Sequence, residues 1–371
     1  MKTAYQRLLA SPRLQRLAAL LYRFRWLWPL VSFGGGVISF FLVNRQQSLG
    51  AWLALALVAS WLLVVLEAGW RWWYRHQGRS EMPRLLANFC AQLAHQETLF
   101  FCLPFFLITT VWFSGQALFT GLLVLCAVVS IVDPLYFNLA ARRRWLYYAY
   151  HAICIFVVVL VIGPLLLGLT TGQSLVAGAV ALALAALPTL FLLARRLGPA
   201  RWLLVPLAAA ALGAGSWGLR GWIPPATLWI DASALSPGFD SAARAPRGSM
   251  PLSVETLQQR GLYAFTAIHA PLGLNERIFH VWRHNGQEVD RIGLSIHGGR
   301  GQGYRAWSRK QQFGDNAAGR WQIDVITDSG QRLGVLRFRV AASGEPTQRA
   351  DGSRHTTPGV GWLRGNEDIQ E

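Results

Sequence analysis

The sequence predicts a polytopic α-helical membrane bundle of seven transmembrane helices, N-terminus inside and C-terminus outside, followed by an all-β immunoglobulin-like sandwich. Three observations predict it. Apolar stretches of roughly the 20 residues that a helix needs to cross a bilayer recur through the first 220 positions. The basic residues between them fall in alternate gaps. From Trp222 onward the pattern changes to short runs of alternating polarity separated by turn residues, the period of half-buried strands.

The elements follow in order. Residues 1–25 read as a cytoplasmic amphipathic segment: Ser11-Pro12 caps a helix with Leu14, Leu17, Leu20 and Leu21 on one face and Arg13, Arg16 and Arg23 on another. Residues 26–220 form the membrane domain, with spans at 26–43, 50–70, 97–114, 117–139, 145–169, 173–194 and 202–219. The third is expected to extend back to about Pro83. Tryptophans such as Trp26, Trp70, Trp145, Trp202 and Trp217 cluster at the span ends, as interfacial anchors do. Six spans contain proline, which kinks a helix that neighbours then support. Of 18 basic residues in positions 1–220, 16 lie in the N-terminal segment and in the gaps holding Arg71–Arg84, Arg142–Arg144 and Arg195–Arg201. Loops rich in Lys and Arg stay cytoplasmic, which fixes the orientation.

Residues 221–260 read as a linker, stiffened at Ile223-Pro224-Pro225 and ending in a short helix at Ser253–Arg260. Residues 261–342 carry the strands: Leu262–Ala270, Arg277–Arg283, Glu288–His297, Gly303–Lys310, Gly319–Thr327 and Arg332–Val340. Asn285-Gly286 between two such runs signals a tight hairpin, and Asp328-Ser329-Gly330 closes another. Trp321, Ile323 and Val325 alternate with Arg320, Gln322 and Asp324, and Leu336, Phe338 and Val340 with Arg337 and Arg339. Such a set of antiparallel strands builds a small sandwich. The Gly-, Pro- and charge-rich stretch 343–371 reads as a disordered tail.

The formal charge of +17 raises nucleic-acid binding, and its distribution argues against it. Positions 1–220 hold 18 basic and 4 acidic residues, a net of +14, whereas 221–371 hold 17 and 14, a net of +3. Most of the excess faces anionic headgroups, and the exported half has no dense basic stripe. All four cysteines lie in the apolar half, so the exported half has no disulfide framework. No metal or other cofactor is called for. His280 and His284 are four apart on a strand, about 13 Å, too far to share an ion.

Two groups of residues are candidates for function. In the helical half Glu67, His95, Glu97, Asp133 and His151 form an intramembrane polar cluster at one depth, and ionisable groups in spans often mark a substrate or proton path. The bland alternative is mutual satisfaction near the headgroups. In the exported half a glycine-rich run, Gly298–Gly303, lacks the Lys-Ser/Thr and following helix of a phosphate loop. It leads into a strand whose one face bears Arg305, Trp307 and Arg309. With Arg300, these offer an envelope protein, glycan or anionic lipid both charge-assisted hydrogen bonds and an aromatic surface. No Ser–His–Asp order or paired-carboxylate signature occurs in the exported half, so catalytic residues are not assigned and an enzyme is not expected.

The order His280-x-Trp282-x-x-Asn285-Gly286, Val289-x-x-Ile292-x-Leu294-x-Ile296, Trp307-x-x-Lys310, Gly319-x-Trp321-x-Ile323-x-Val325 and Phe338-x-Val340 resembles the bacterial module known as domain of unknown function 2914. The helical half is similar in layout to domain of unknown function 5924, found in proteobacterial membrane proteins. The resemblance implies a bacterial inner membrane with the C-terminal module in the periplasm, and no activity. The expected function is therefore a non-enzymatic, membrane-anchored binding or scaffolding protein of the cell envelope. The alternative is a sensor or transporter whose periplasmic domain regulates the helices.

Overall fold

The computed structural model describes residues 84–299, 303–342 and 347–353, together with Gly34. The N-terminal amphipathic segment, the first two expected spans, Glu67 and Arg300 lie outside the described residues. Seven α-helices are described: α1 Arg84–Thr109, α2 Gln116–Ile131, α3 Asp133–Arg142, α4 Arg144–Leu167, α5 Thr171–Leu193, α6 Arg201–Gly218 and α7 Val254–Arg260.

The seven-span bundle is corrected by this structure. Among the described residues, two helices are long and apolar enough to cross a membrane, Arg144–Leu167 and Thr171–Arg196, the latter being α5 with its 3-10 extension. The apolar helix Gln116–Ile131 is only 16 residues long. The expected span 117–139 breaks at Val132, whose backbone is extended (φ −87°, ψ 91°); Pro134 falls in the first turn of the next helix, where a proline is tolerated, and cannot donate to the carbonyl four residues back. That carbonyl belongs to Ser130, and two side chains of α1 take it instead: Gln92 Nε2 donates at 3.0 Å and Gln96 Nε2 at 2.6 Å. The expected span 97–114 is part of a helix that begins at Arg84 and buries Gln92, His95, Gln96 and Thr98. α6 opens on Arg201 and has only 18 residues.

α4 and α5 form a hairpin. α4 ends on Gly168 in the left-handed region (φ 60°), and α5 opens with a capping box: Gln173 N–H donates to Thr170 Oγ1 (3.1 Å), and Thr170 N–H to Gln173 Oε1 (3.0 Å). Gly178 lets the Phe156 ring of α4 approach so closely that a Cβ would stand 3.1 Å from it, the close packing small residues permit in apolar bundles. The core of this half joins Phe100, Phe105 and Phe106 of α1 to Leu123 of α2, Val157 and Val161 of α4 and Leu175 of α5.

The β part is a two-layer antiparallel sandwich. One sheet has the order β1 (Trp229–Ser236), β5 (Leu262–His269), β8 (Tyr304–Lys310). The other has β10 (Arg332–Val340), β9 (Gly319–Thr327), β6 (Asn275–His284), β7 (Gln287–His297). Two short pairs, β2 (Gly238–Asp240) with β3 (Ala245–Arg247) and β4 (Ser249–Pro251) with β11 (Arg349–Asp351), complete it. The core alternates out of both sheets: Ile230, Leu262, Ala264 and Ile268 face Ile278, Trp282, Ile323, Val325 and Phe338. At its centre His280 of β6 is fully buried and bridges the layers, with Nε2 at 3.0 Å from Thr266 Oγ1 and Nδ1 at 2.8 Å from Ser308 Oγ. Burial holds its imidazole neutral, with its pKa pushed down to about 3.

Two boundaries differ from the sequence reading. The stretch read as a linker contains β1, a full member of the sandwich, because its apolar positions find β5 in register from Trp229↔His269 to Ser236↔Tyr263. Within the expected tail, Arg349–Asp351 pairs with β4. Both partners are remote in sequence, so local composition carried no sign of either.

The sandwich is attached to the loop end of the α4–α5 hairpin. Thr171 at the start of α5 donates from its N–H to Glu276 Oε2 (2.8 Å) and from its hydroxyl to Oε1 (3.1 Å). Gln116 Nε2 donates to the Arg332 carbonyl (2.9 Å), Arg220 Nε to the Ser329 carbonyl (2.7 Å) and Gln331 Nε2 to the Ile223 carbonyl (3.0 Å). Ile223, Ala226 and Trp229 join the helical core, so the two halves share apolar as well as polar contacts.

Candidate functional site

A groove lies at the end of β9–β10 remote from the helices. Its geometry follows from strand alternation. Trp321 and Phe338 turn inward and stack (6.1 Å, 12°), with His284 stacked on Trp321 at 4.6 Å, while Arg320, Arg337 and Arg339 are exposed. Register places Arg320 directly opposite Arg339, and Arg337 opposite Gln322. The β6–β7 hairpin closes one side. Its turn residues Asn285 (φ 48°) and Gly286 (φ 88°) adopt the left-handed backbone of a tight turn. Asn285 N–H donates to the Arg320 carbonyl (2.8 Å), and Arg320 N–H returns a bond to Asn285 Oδ1 (3.1 Å). Gly319 (φ 129°) is needed where the turn meets β9, since a Cβ there would stand 2.8 Å from Asn285 Oδ1. The resulting groove has a volume of about 930 Å³ and is also lined by Gln322 and Gln348.

Its electrostatics are one-sided. Asp324, almost fully buried, accepts from Arg283 Nε (2.9 Å) and Gln322 Nε2 (2.6 Å), and Arg332 lies 3.6 Å away. Glu288 pairs with Arg283 and Arg291, and Asp290 with Lys310. Among the described residues, none that lines the groove is acidic. Among the described residues no ion pair reaches Arg320 or Arg337. Like charges facing one another across a strand pair are unfavourable.

The residues singled out from the sequence are placed as follows. Arg305, Trp307 and Arg309 do share one face of β8. Trp307 is half-buried and stacked on Phe239 (4.1 Å, 24°), at the edge of a satellite apolar cluster. Arg305 Nη1 donates to the Ala243 carbonyl (2.8 Å). Arg309 lies over the Tyr263 ring at 5.0 Å and donates to the Arg260 carbonyl at 3.4 Å. These side chains thus anchor the β2–β3 flap and the end of α7.

In the helical half the structure brings two of the five polar residues together. His95 is buried, with Nε2 at 3.0 Å from His151 Nδ1 and Nδ1 at 2.7 Å from Tyr136 Oη. The rings of Tyr147 and Tyr150 pack around it. Glu97, two residues on, is exposed on another side of α1. The Asp133 side chain, like Glu67, lies outside the described residues.

The groove residues were visible in the sequence as the polar positions of two alternating strands. Nothing local indicated that β9 and β10 align Arg320 with Arg339, or that Asp324 is already taken by Arg283.

A helical region with two membrane-length helices, joined to a β-sandwich bearing a basic groove, defines the class of protein. The chain belongs to the family described as "Family of unknown function (DUF5924)", whose model matches residues 8–264. "Protein of unknown function (DUF2914)" matches residues 275–340. No curated protein and no solved structure matches the chain. The two matches divide one sandwich: β1 and only the first three residues of β5 fall within the first, and β6 to β10 within the second.

Proposed function

We propose that this protein is a membrane-anchored, non-enzymatic binding module of the bacterial cell envelope, in which the helices hold the sandwich at the periplasmic face of the inner membrane. The observation that carries the reading is the position of the groove. It opens at the far end of strands whose near end contacts the helices, so from Arg320 to Thr327 it stands about 23 Å along β9 from the junction. That separation exceeds a physiological Debye length of about 8 Å, so the groove addresses a partner in the compartment rather than the anchoring headgroups. Orientation is supported by charge. Arg142, Arg143 and Arg144 precede α4, and Arg195, Arg196 and Arg201 follow α5, all at the end of the hairpin away from the sandwich. Such clusters are retained on the cytoplasmic side.

The test has two parts. Alkaline phosphatase fused after residue 353 should be active in whole bacterial cells, whereas inactivity would reverse the orientation. Purification from native membranes should recover a partner that is lost when residues 226–353 are deleted. Identical recovery with and without the sandwich would defeat the binding-module reading. A second reading, a sensor whose sandwich reports to the helices, draws on the Glu276–Thr171 contact, which connects the sandwich to the start of α5.

A further inference from the structure

We propose that the outer edge of β7 takes up an extended, uncharged peptide segment of a partner protein as a further strand of the β10–β9–β6–β7 sheet. The inference rests on the sandwich being a membrane-held binding module and places a protein partner on a surface other than the β9–β10 groove.

The backbone identifies the edge. β6 lies between β9 and β7, so its residues bond alternately to one and to the other. The Arg277 carbonyl accepts from Asp328 N–H on the β9 side (2.9 Å), and the Leu274 carbonyl from Gly298 N–H on the β7 side (2.8 Å). Ile278 and His280 therefore bond to β7, and their register partners Leu294 and Ile292 turn their backbone groups inward. Arg291, Gly293, Ser295 and His297 turn theirs outward. The Arg291 N–H is taken by Asp290 Oδ1 (2.9 Å). Among the described residues no hydrogen bond from outside the β6–β7 pair reaches the backbone of Gly293, Ser295 or His297, and all three are exposed.

The side chains set the chemistry of what pairs there. Ile292-Gly293-Leu294-Ser295-Ile296 carries neither charge nor proline, the devices that keep an edge from pairing. β8, an edge of the other sheet, carries Arg305, Arg309 and Lys310. The charges that precede the run are already paired: Glu288 with Arg291 (2.9 Å) and Asp290 with Lys310 (3.4 Å). Ile292 and Leu294 are half-buried at the rim of the core. A strand laid along β7 gains affinity from main-chain hydrogen bonds, and selectivity from apolar side chains at alternate positions that cover Ile292 and Leu294.

The direction of β7 decides against a second copy of the chain. The strand runs from the Asn285-Gly286 turn at the far end back to His297, which is in register with Asn275 beside the Glu276–Thr171 contact. Two copies related by a two-fold axis can join like edges only as antiparallel strands, because a parallel pair offsets its strands by one residue and breaks the symmetry. Antiparallel pairing points the two helical halves in opposite directions, which one membrane cannot hold. A head-to-tail array would need the β10 edge. There Gln348 Oε1 takes the Arg339 N–H (3.1 Å) and the Leu252 carbonyl the Ala341 N–H (3.0 Å).

The experiment uses a fluorescein-labelled peptide of alternating threonine and valine with a glutamate at each end, titrated by anisotropy into the full-length protein in detergent. It should bind saturably and with little dependence on salt. Two further peptides are N-methylated, one at every threonine and the other at every valine. Only one set of N–H groups faces β7, so one methylated form should lose binding and the other keep it. Ser295→Pro should weaken the parent peptide at least tenfold. An edge strand accepts proline where its N–H faces solvent, and an unchanged circular dichroism spectrum would establish that the variant folds. Equal binding of both methylated peptides, an unaffected Ser295→Pro variant or no peptide binding would each overturn the assignment. A dimer in detergent that Ser295→Pro dissociates would give the edge to a second copy and overturn it too. If Ser295→Pro leaves recovery of the native partner intact while deletion of 226–353 abolishes it, the edge assignment fails and the binding module stands.

Discussion

Glu276 shows how a single residue couples the two halves. It sits at the start of β6, only 5% exposed, with both carboxylate oxygens taken by Thr171 at the N-terminus of α5. Burial pushes its pKa up to about 7, the Asp328 charge adds to this, and the two Thr171 bonds oppose it. The sign of the pH dependence follows. Between the ordinary carboxylate value of about 4.5 and about 7, the folded protein holds a proton that the unfolded chain has lost. Stability from this group is therefore full below that window and declines as pH rises through it, by about 1.4 kcal/mol per pH unit for one proton. His280 acts in the opposite direction, since its depressed pKa favours the fold increasingly from about pH 3 to about 6.5. Comparison with a variant isolates the carboxylate. Glu276→Gln should lose less stability than the wild type between pH 5 and pH 8, measured as the thermal midpoint in detergent. Identical pH profiles would mean that Glu276 does not titrate in this range.

Among the elements, the α2–α3 break is the one most directly caused by sequence. Pro134 frees the Ser130 carbonyl inside an apolar bundle, where an unpaired acceptor costs about 1–3 kcal/mol. Gln92 and Gln96 reach across from α1 to satisfy it. The proline is thus tied to polar residues about 40 positions earlier, and the arrangement predicts non-additivity. Gln96→Ala should destabilise the protein by about 1–2 kcal/mol. In a Pro134→Ala background, residue 134 regains an N–H for Ser130 and the same change should cost clearly less. A coupling energy near zero in that double-mutant cycle would show that the glutamines are not there for the carbonyl. The strands provide the contrasting case. Expected boundaries at Gly319–Thr327 and Arg332–Val340 coincide with β9 and β10, and the Asn285-Gly286 hairpin forms where its turn chemistry places it. Period-two alternation and a left-handed turn are local properties, which a sequence displays directly.

At the scale of the whole molecule, the composite sandwich is the principal finding. β1 and the start of β5 belong to the stretch matched together with the helices, the rest of β5 lies between the two matches, and these two strands supply one face of the core that β6, β9 and β10 need. A fragment of residues 275–340 contains β8 without its partner β5 and leaves Ile278, Trp282, Ile323 and Val325 uncovered. Leaving that apolar area in water removes the main driving force for folding. The 275–340 fragment should therefore be unfolded or aggregated by circular dichroism and amide exchange, and residues 226–353 should give dispersed amide resonances. A cooperatively folded 275–340 fragment would show that the second family match is autonomous.

By itself the sequence determined the division into an apolar helical half and an alternating β half, the limits of β9 and β10 and, to within two residues, those of β5 to β8, the hairpin turns, the short helix ending at Arg260 and the pair of long apolar helices. It did so because periodicity, capping and turn propensity act over a few residues. It overstated the membrane bundle, since apolar length alone does not register that Asp133-Pro134 splits a helix or that α1 buries a polar face against α2 and α4. Tertiary structure alone decided where these charges gather. Arg320, Arg337 and Arg339 look like any solvated face of two strands until β9 and β10 pair and Asp324 is claimed by Arg283 and Gln322. Cross-strand register and burial are long-range outcomes of packing, and the basic groove exists only once they are set.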